Sequence, residues 1–424
     1  MTTVSATSQE LHQTPTIESG TAPSAVLRRR LSRGPAFWLV AATVSALLAA
    51  SSAPSPLYPV LQAEFGFSAL TLTGIFAVYV VALLLSLLTV GRLSDYVGRR
   101  PVLAVALVIE AASMAVFLGA DRVTWLVVAR IVQGVATGAA VGVLGAYLLD
   151  LQPSDGSRLG SLVNSVAATT GLGIGSVLTG VLVQYAPHPT KLIFALLMVV
   201  FALLVLATAA LPETVSRVPG ALAALRPRVA VPPRARRAFV GALPTMMSTW
   251  ALGGLMLSVG GSLLGVVFAQ ANEAVIGLVI GVFALSGAIA AVAVTNIPPH
   301  RISTLGTGAL VVGTGLFLIG IDASSLGVFV IATAVAGAGF GSAFLGALRS
   351  VTQLAEPHER AALLSAVFIV SYLAFSIPAV LAGLLITHIG LRDTSLYYGT
   401  LVGVLAGTSL AISVGSARAK AAPR

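Results

Sequence analysis

Twelve stretches of this sequence are nearly free of charge, and each is long enough to cross a lipid bilayer. They fall at 34–63, 65–91, 101–120, 123–149, 159–190 and 192–212, then at 238–271, 274–300, 302–321, 323–348, 361–391 and 394–417. About 20 apolar residues suffice to span the hydrocarbon core as a helix. Ten of the twelve contain no Asp, Glu, Lys or Arg; the exceptions hold Glu110 and Arg130. Backbone polar groups meet no water in lipid, so each stretch must satisfy them within a helix. The fold class is therefore all-α and integral to the membrane, with twelve transmembrane helices. The chain is only 9% charged, where soluble domains carry about 25%. It contains no Cys, which removes disulfides and thiolate chemistry.

Charge then sets the topology. With the N-terminus in the cytoplasm, 20 Lys and Arg residues fall on inside segments. Only Arg122, Lys191 and Arg392 fall outside, and Arg130 lies within a span. This bias predicts that both termini are cytoplasmic, in a plasma or inner membrane. It also accounts for the net charge of +10 without nucleic acid. The expected division is a disordered N-terminal tail at 1–33, a six-helix bundle at 34–212, a basic linker at 213–237, a second six-helix bundle at 238–417 and a short tail at 418–424. The linker holds six arginines and four prolines, which favours an extended tether on an anionic leaflet. The halves also share a repeat: Gly138 and Gly341, Gly180 and Gly383, and Gly74 and Gly277 are each 203 positions apart. Duplicated halves are common in secondary transporters.

The hairpin between the second and third spans reads Gly-Arg-Leu-Ser-Asp-Tyr-Val-Gly-Arg-Arg at 91–100. Gly91, Leu93, Asp95, Gly98, Arg99 and Arg100 fall on the positions of the loop signature that it resembles, that of the major facilitator superfamily. Arg130, Gln133 and Gly134 resemble the superfamily's fourth-helix motif. Gly171, Gly175 and Gly180 resemble its fifth-helix antiporter motif, with Ser176 and Thr179 replacing a proline and a glycine. The resemblance implies two pseudo-symmetric six-helix bundles that work by alternating access. It implies that Gly91, Asp95, Gly98, Arg99 and Arg100, with Asp150 as the natural acidic partner, latch the two halves on the cytoplasmic side. It links Arg130 to proton coupling.

An arginine within a span costs about 2.5–3.5 kcal/mol to insert, so Arg130 must face a cavity or a partner. Glu110 lies at a similar depth and is either that partner and the proton-binding carboxylate, or a structural group. Polar candidates for a substrate cavity are Tyr58, Tyr79, Gln133, Asn164, Trp250 and Tyr372. Gly134, Gly138, Gly171, Gly175, Gly180 and Gly383 are small residues that let helices pack closely. Pro54, Pro56, Pro59, Pro244 and Pro378 predict bends. No cofactor or metal set, nucleophile–base pair or phosphate loop can be placed, so neither an enzyme nor an ATP-driven pump is expected. The expected function is export of a small, largely hydrophobic solute by proton antiport, acting as a monomer in the bilayer. Proton-coupled uptake of a sugar or organic acid is the alternative, and a solute sensor without flux is another.

Overall fold

The computed structural model describes residues 30–153, 159–356 and 358–421, the side chains of 416–421 aside. Most of the expected N-terminal tail, with Arg28 and Arg29, lies outside the described residues, as do Arg158 and Arg424. The first half comprises α1 (Arg33–Phe65), α2 (Ala69–Val90), α3 (Arg99–Leu118), α4 (Val123–Leu151), α5 (Leu159–Tyr185) and α6 (Leu192–Thr208). The second comprises α7 (Arg236–Val267), α8 (Glu273–Ala293), α9 (Pro299–Asp322), α10 (Leu326–Thr352), α11 (Arg360–Ile389) and α12 (Leu391–Ala421). Eleven of these are long and apolar enough to cross a membrane. The twelfth, α6, has 17 residues and reaches about 26 Å at 1.5 Å per residue, near the lower limit for a span. The protein is an all-α, multi-pass membrane protein.

Local chemistry sets several boundaries. Pro187 and Pro189 follow α5, which stops at Tyr185, five residues short of the apolar run. Pro298 and Pro299 open α9. Gly390, with φ +81°, is the only residue between α11 and α12; glycine takes that left-handed backbone without steric cost. The last helix runs on to Ala421, so the segment expected as a tail from 418 is helical over its first four residues. The linker differs from a plain tether. It forms a helical turn at Ala221–Ala224 and a 3-10 turn at Pro233–Ala235. It is also tied to both halves, by Val218 N–H on the Tyr96 carbonyl and Ala230 N–H on the Ala362 carbonyl.

The repeat is visible in the packing. A β-carbon added at Gly134 or Gly138 of α4 would collide with the α2 backbone at Tyr79 and Leu83. One added at Gly337 or Gly341 of α10 would collide with the α8 backbone at Phe283 and Gly287. Across the halves, Gly180 of α5 meets Gly277 of α8, and its counterpart Gly383 of α11 meets Thr73 of α2. Small residues buy this approach, since helices in lipid associate by close packing rather than by a hydrophobic force.

These cross-contacts define two faces. The loop face carries residues 91–98; the far face lies at the other end of the spans. Among the described residues, the hydrogen bonds, ring contacts and glycine contacts that join the halves lie from mid-span to the far face, apart from those made by the linker. They include Gln184 with Glu273, Ser55 and Pro59 with Gly261, and Phe76 with Phe375. The far face is closed in this structure.

Candidate functional site

The site is built on a break in α1. Proline has no N–H, so the carbonyl four residues earlier loses its helical partner. Pro54 therefore frees the carbonyl of Ala50, and the helix is interrupted at Ala53. The Ala50 carbonyl accepts the Gln133 side-chain N–H at 3.0 Å, and that of Ser51 accepts Arg130 Nη1 at 3.1 Å. The break supplies two acceptors at mid-membrane.

Arg130 has no exposed surface. Its Nε and Nη2 donate to the Tyr58 hydroxyl at 3.0 and 2.6 Å, and Nη1 donates to Gln133 Oε1 at 2.7 Å. The rings of Tyr79, Tyr58 and Phe117 lie 4.9, 5.6 and 5.9 Å from the guanidinium carbon, within cation–π range. The cation is held by phenols, the Ser51 carbonyl and an amide.

Glu110 is equally buried, and it does not pair directly with Arg130. Gln133 stands between them: its Oε1 accepts from Arg130 while its Nε2 donates to Glu110 Oε1 at 3.3 Å. The other carboxyl oxygen accepts Thr137 Oγ1 at 3.3 Å. Because Nε2 also donates to a backbone carbonyl, which can only accept, the amide orientation is fixed by its partners. Arg130, Gln133 and Thr137 share one face of α4 through their spacing of three and four residues. The sequence reading missed Thr137 and the carbonyls of α1.

Across the seam, Trp250 of α7 packs against Phe340 and Phe344 of α10 and Tyr372 and Phe375 of α11, with ring centroids 5.0–6.3 Å apart. The Trp250 indole N–H is buried with no hydrogen-bond partner. Phe375, three residues beyond Tyr372, meets Phe76 of α2 across the seam with centroids 5.0 Å apart, and Tyr79, three residues beyond Phe76, donates its hydroxyl to Ser51 Oγ at 2.9 Å. Four of the six cavity candidates, Tyr58, Tyr79, Gln133 and Tyr372, thus join one central region, with Trp250 beside Tyr372. Asn164 does not. It packs near Gly145, which is 15 residues, or about 22 Å along α4, from Arg130.

The loop residues gather into a second network. Arg99 pairs with Asp95 and with Asp150, the latter at 3.2 Å, and donates to Ser94 Oγ at 2.8 Å. Thr214 Oγ1 donates to Asp150 at 2.7 Å. Glu213, missed in the sequence, receives the N–H groups of Arg99 and Arg100 at 2.7 and 3.1 Å. Its carboxylate thus caps the positive end of α3; Arg100 enters this network through its backbone. Gly98 has φ +108°, and a β-carbon there would lie 2.8 Å from Glu213 Oε2. Gly91 packs against Gly142 of α4. The network joins the first half to the start of the linker. Among the described residues, no second-half side chain enters it.

The chain matches the family model described as Major Facilitator Superfamily over residues 37–298. An uncharacterized transporter of Rickettsia bellii is 34% identical over 141 residues, which is 32% of this chain and 34% of that protein. One of Rickettsia felis is 32% identical over 139 residues, 32% and 33% of the two chains. The match therefore spans about a third of these relatives' length. Among solved structures, a bacterial homolog of the human lysosomal transporter Spinster, in an inward-facing and unoccupied conformation, superimposes with TM-score 0.73 at 11% identity, covering 90% of this chain and 97% of that one. The nucleoside transporter NupG gives 0.69 at 13% identity, covering 89% and 99%. The human organic anion transporter MFSD10 (TETRAN) gives 0.65 at 18% identity, covering 90% and 100%. At these identities the likeness is one of fold.

Proposed function

This chain belongs to the major facilitator superfamily, a family of membrane transporters, and on that footing we propose that it exports a small, largely hydrophobic organic solute in exchange for protons. The 91–98 loop and both termini lie in the cytoplasm in this reading, in agreement with the charge bias. The structure is then the cytoplasm-facing state.

The observation that carries the proposal is Glu110, a carboxyl group with no exposure that is tied through one amide to a buried cation. Intramembrane carboxylates of this kind mark proton pathways. Glu110 takes up a proton while the far face is open and gives it to the cytoplasm while the loop face is open. Gln133 makes that exchange visible to Arg130, because the same amide touches both. Arg130 in turn fixes Tyr58 and lies over Tyr79, which form the first-half wall of the solute site. Trp250 and Tyr372 form the other wall, and the unpartnered indole N–H is a donor for a polar atom on an otherwise apolar solute. The glycine pattern of α5 supports export over uptake. Asp95 pairs with Arg99 but keeps its side chain half-exposed, and that open side meets the second half when the loop face closes.

Proteoliposomes with a pH-sensitive dye inside and a panel of solutes outside test this. Proton movement opposite to the solute, abolished by Glu110→Gln, is the expected result. Movement in the same direction would replace export with uptake. Saturable binding without flux would make the protein a sensor.

A further inference from the structure

A small polar pocket on the far face sits above the Glu110–Gln133–Arg130 set, and its walls come from the first half alone. Its volume is about 20 Å³, enough for one water, which needs at least about 10–15 Å³. Glu64 near the end of α1, and Thr190 and Lys191 ahead of α6, line it. These three meet a water's need for two to four polar partners. Glu64 and Lys191 are exposed, so the pocket is open to the far side. Buried Leu61, Phe117 and Leu126 form the wall toward the interior. Each stands above one member of the buried set on its own helix. Leu61 is one turn beyond Tyr58 on α1, Leu126 is one turn before Arg130 on α4, and Phe117 is two turns beyond Glu110 on α3. The Phe117 ring fills the gap between them. It stacks on Phe194 of α6 with centroids 4.5 Å apart and lies 5.9 Å from the Arg130 guanidinium carbon. One ring separates far-side water from the buried cation.

We propose that protons reach Glu110 from the far side through this pocket and past Phe117, rather than through the cleft between the halves that passes the solute. This rests on the proton-antiport reading above. An apolar layer is a barrier to a charge, so the ring isolates Glu110 from the far side while the loop face is open, as here. The end of α1 ties this barrier to the cycle. Its segment Pro54–Phe65 walls the pocket with Leu61 and Glu64, and it also packs Ser55 and Pro59 against Gly261 of α7 across the seam. Alternating access parts that seam, which releases the segment and loosens the wall beside Phe117. Proton and solute then take separate routes that open together.

The test is proton leak into proteoliposomes that hold a pH-sensitive dye, with no solute and a potassium diffusion potential as the driving force. The wild type should be as tight as empty liposomes. Phe117→Ala should leak at several times that rate, because Glu110 is then reached from both sides. Phe117→Leu keeps an aliphatic body in the core; it should leak more weakly, and it stands in for the alanine variant if that one fails to fold. Adding Glu110→Gln should abolish the leak, and so should a bulky thiol reagent attached at Thr190→Cys. Cross-linking Gln184→Cys to Glu273→Cys, which holds the seam between the halves shut, should leave the leak unchanged. Folded Phe117 variants that stay tight, or a leak that the cross-link stops, overturn the route. A leak that survives Glu110→Gln overturns its end point. Solute flux without proton movement in the wild type overturns the antiport reading and this inference with it, whereas tight Phe117 variants that still couple solute to protons sink this inference alone.

Discussion

Two of the four hydrogen bonds that Arg130 makes go to a single phenol. Tyr58 takes both the Nε and Nη2 donors, whereas Tyr79 offers only its ring face to the cation and spends its hydroxyl on Ser51. Bonds to a charged group contribute about 1.5–3 kcal/mol and neutral ones about 0.5–1.5 kcal/mol. Tyr58→Phe should therefore lower thermal stability in detergent clearly more than Tyr79→Phe does; equal losses would refute the assignment. Glu110→Gln is close in shape and can still accept from Thr137. It should fold and bind solute while losing solute-driven proton movement and any pH dependence of solute binding. Wild-type proton flux in that variant would remove Glu110 from the coupling step. Part of this was legible in the sequence. The depth of Glu110 and Arg130 follows from counting residues, because a helix advances a fixed 1.5 Å per residue. Their rotation about the helix axes does not follow, so the amide between them was out of reach. The three-residue spacing of Gln133 from Arg130 is the available clue, and by itself it places the two on a shared face rather than defining a bridge.

At the scale of elements, α1 and α3 show how a helix end or interruption becomes functional. Pro54→Ala restores an N–H that can reclaim the Ala50 carbonyl, which removes an acceptor from Gln133. Pro54 opens the helical segment after the break, a position where proline is well tolerated, so the variant should be about as stable, yet coupled flux should fall. Full activity with the helix repaired would show that the interruption is only a bend. Gly98→Ala acts at the other element. A side chain at φ +108° is strained by about 1–3 kcal/mol, and its β-carbon would displace the Glu213 carboxylate that caps α3. Both glycines and the paired arginines of this loop were legible because the signature is contiguous. Glu213 was not, because it lies more than a hundred residues away and only the return of α6 brings it to α3. Folding supplies that proximity, and local pattern does not contain it.

At the scale of the whole molecule, the linker and the far face hold the halves in register. Arg234 of the linker binds Glu356 and Glu359 at 2.5 and 2.6 Å on the second half. Glu359 accepts the Glu356 backbone N–H and the Arg234 guanidinium, which hold its carboxyl below the usual range. A carboxyl lowered by docking contributes fully above the ordinary value of about 4.3 and loses its contribution as pH falls through the lowered one. A spin label at Val229→Cys should therefore report an unchanged linker from pH 8 to 5 and a freer one in stronger acid. Arg234→Ala should free it at every pH. The far face carries the larger consequence. Gln184 of α5 reaches the Glu273 N–H at 2.9 Å, so cysteines at these two positions lie within reach of a short thiol-specific cross-linker. The chain has no cysteine of its own, which leaves the pair as the sole target. Alternating access requires this contact to part in every cycle. Cross-linking Gln184→Cys to Glu273→Cys should arrest transport, and reductive release should restore it, with each single variant unaffected by the reagent. Continued flux through fully cross-linked protein would mean that the far face never opens at the α5–α8 seam, and the two-state reading of the fold would fall.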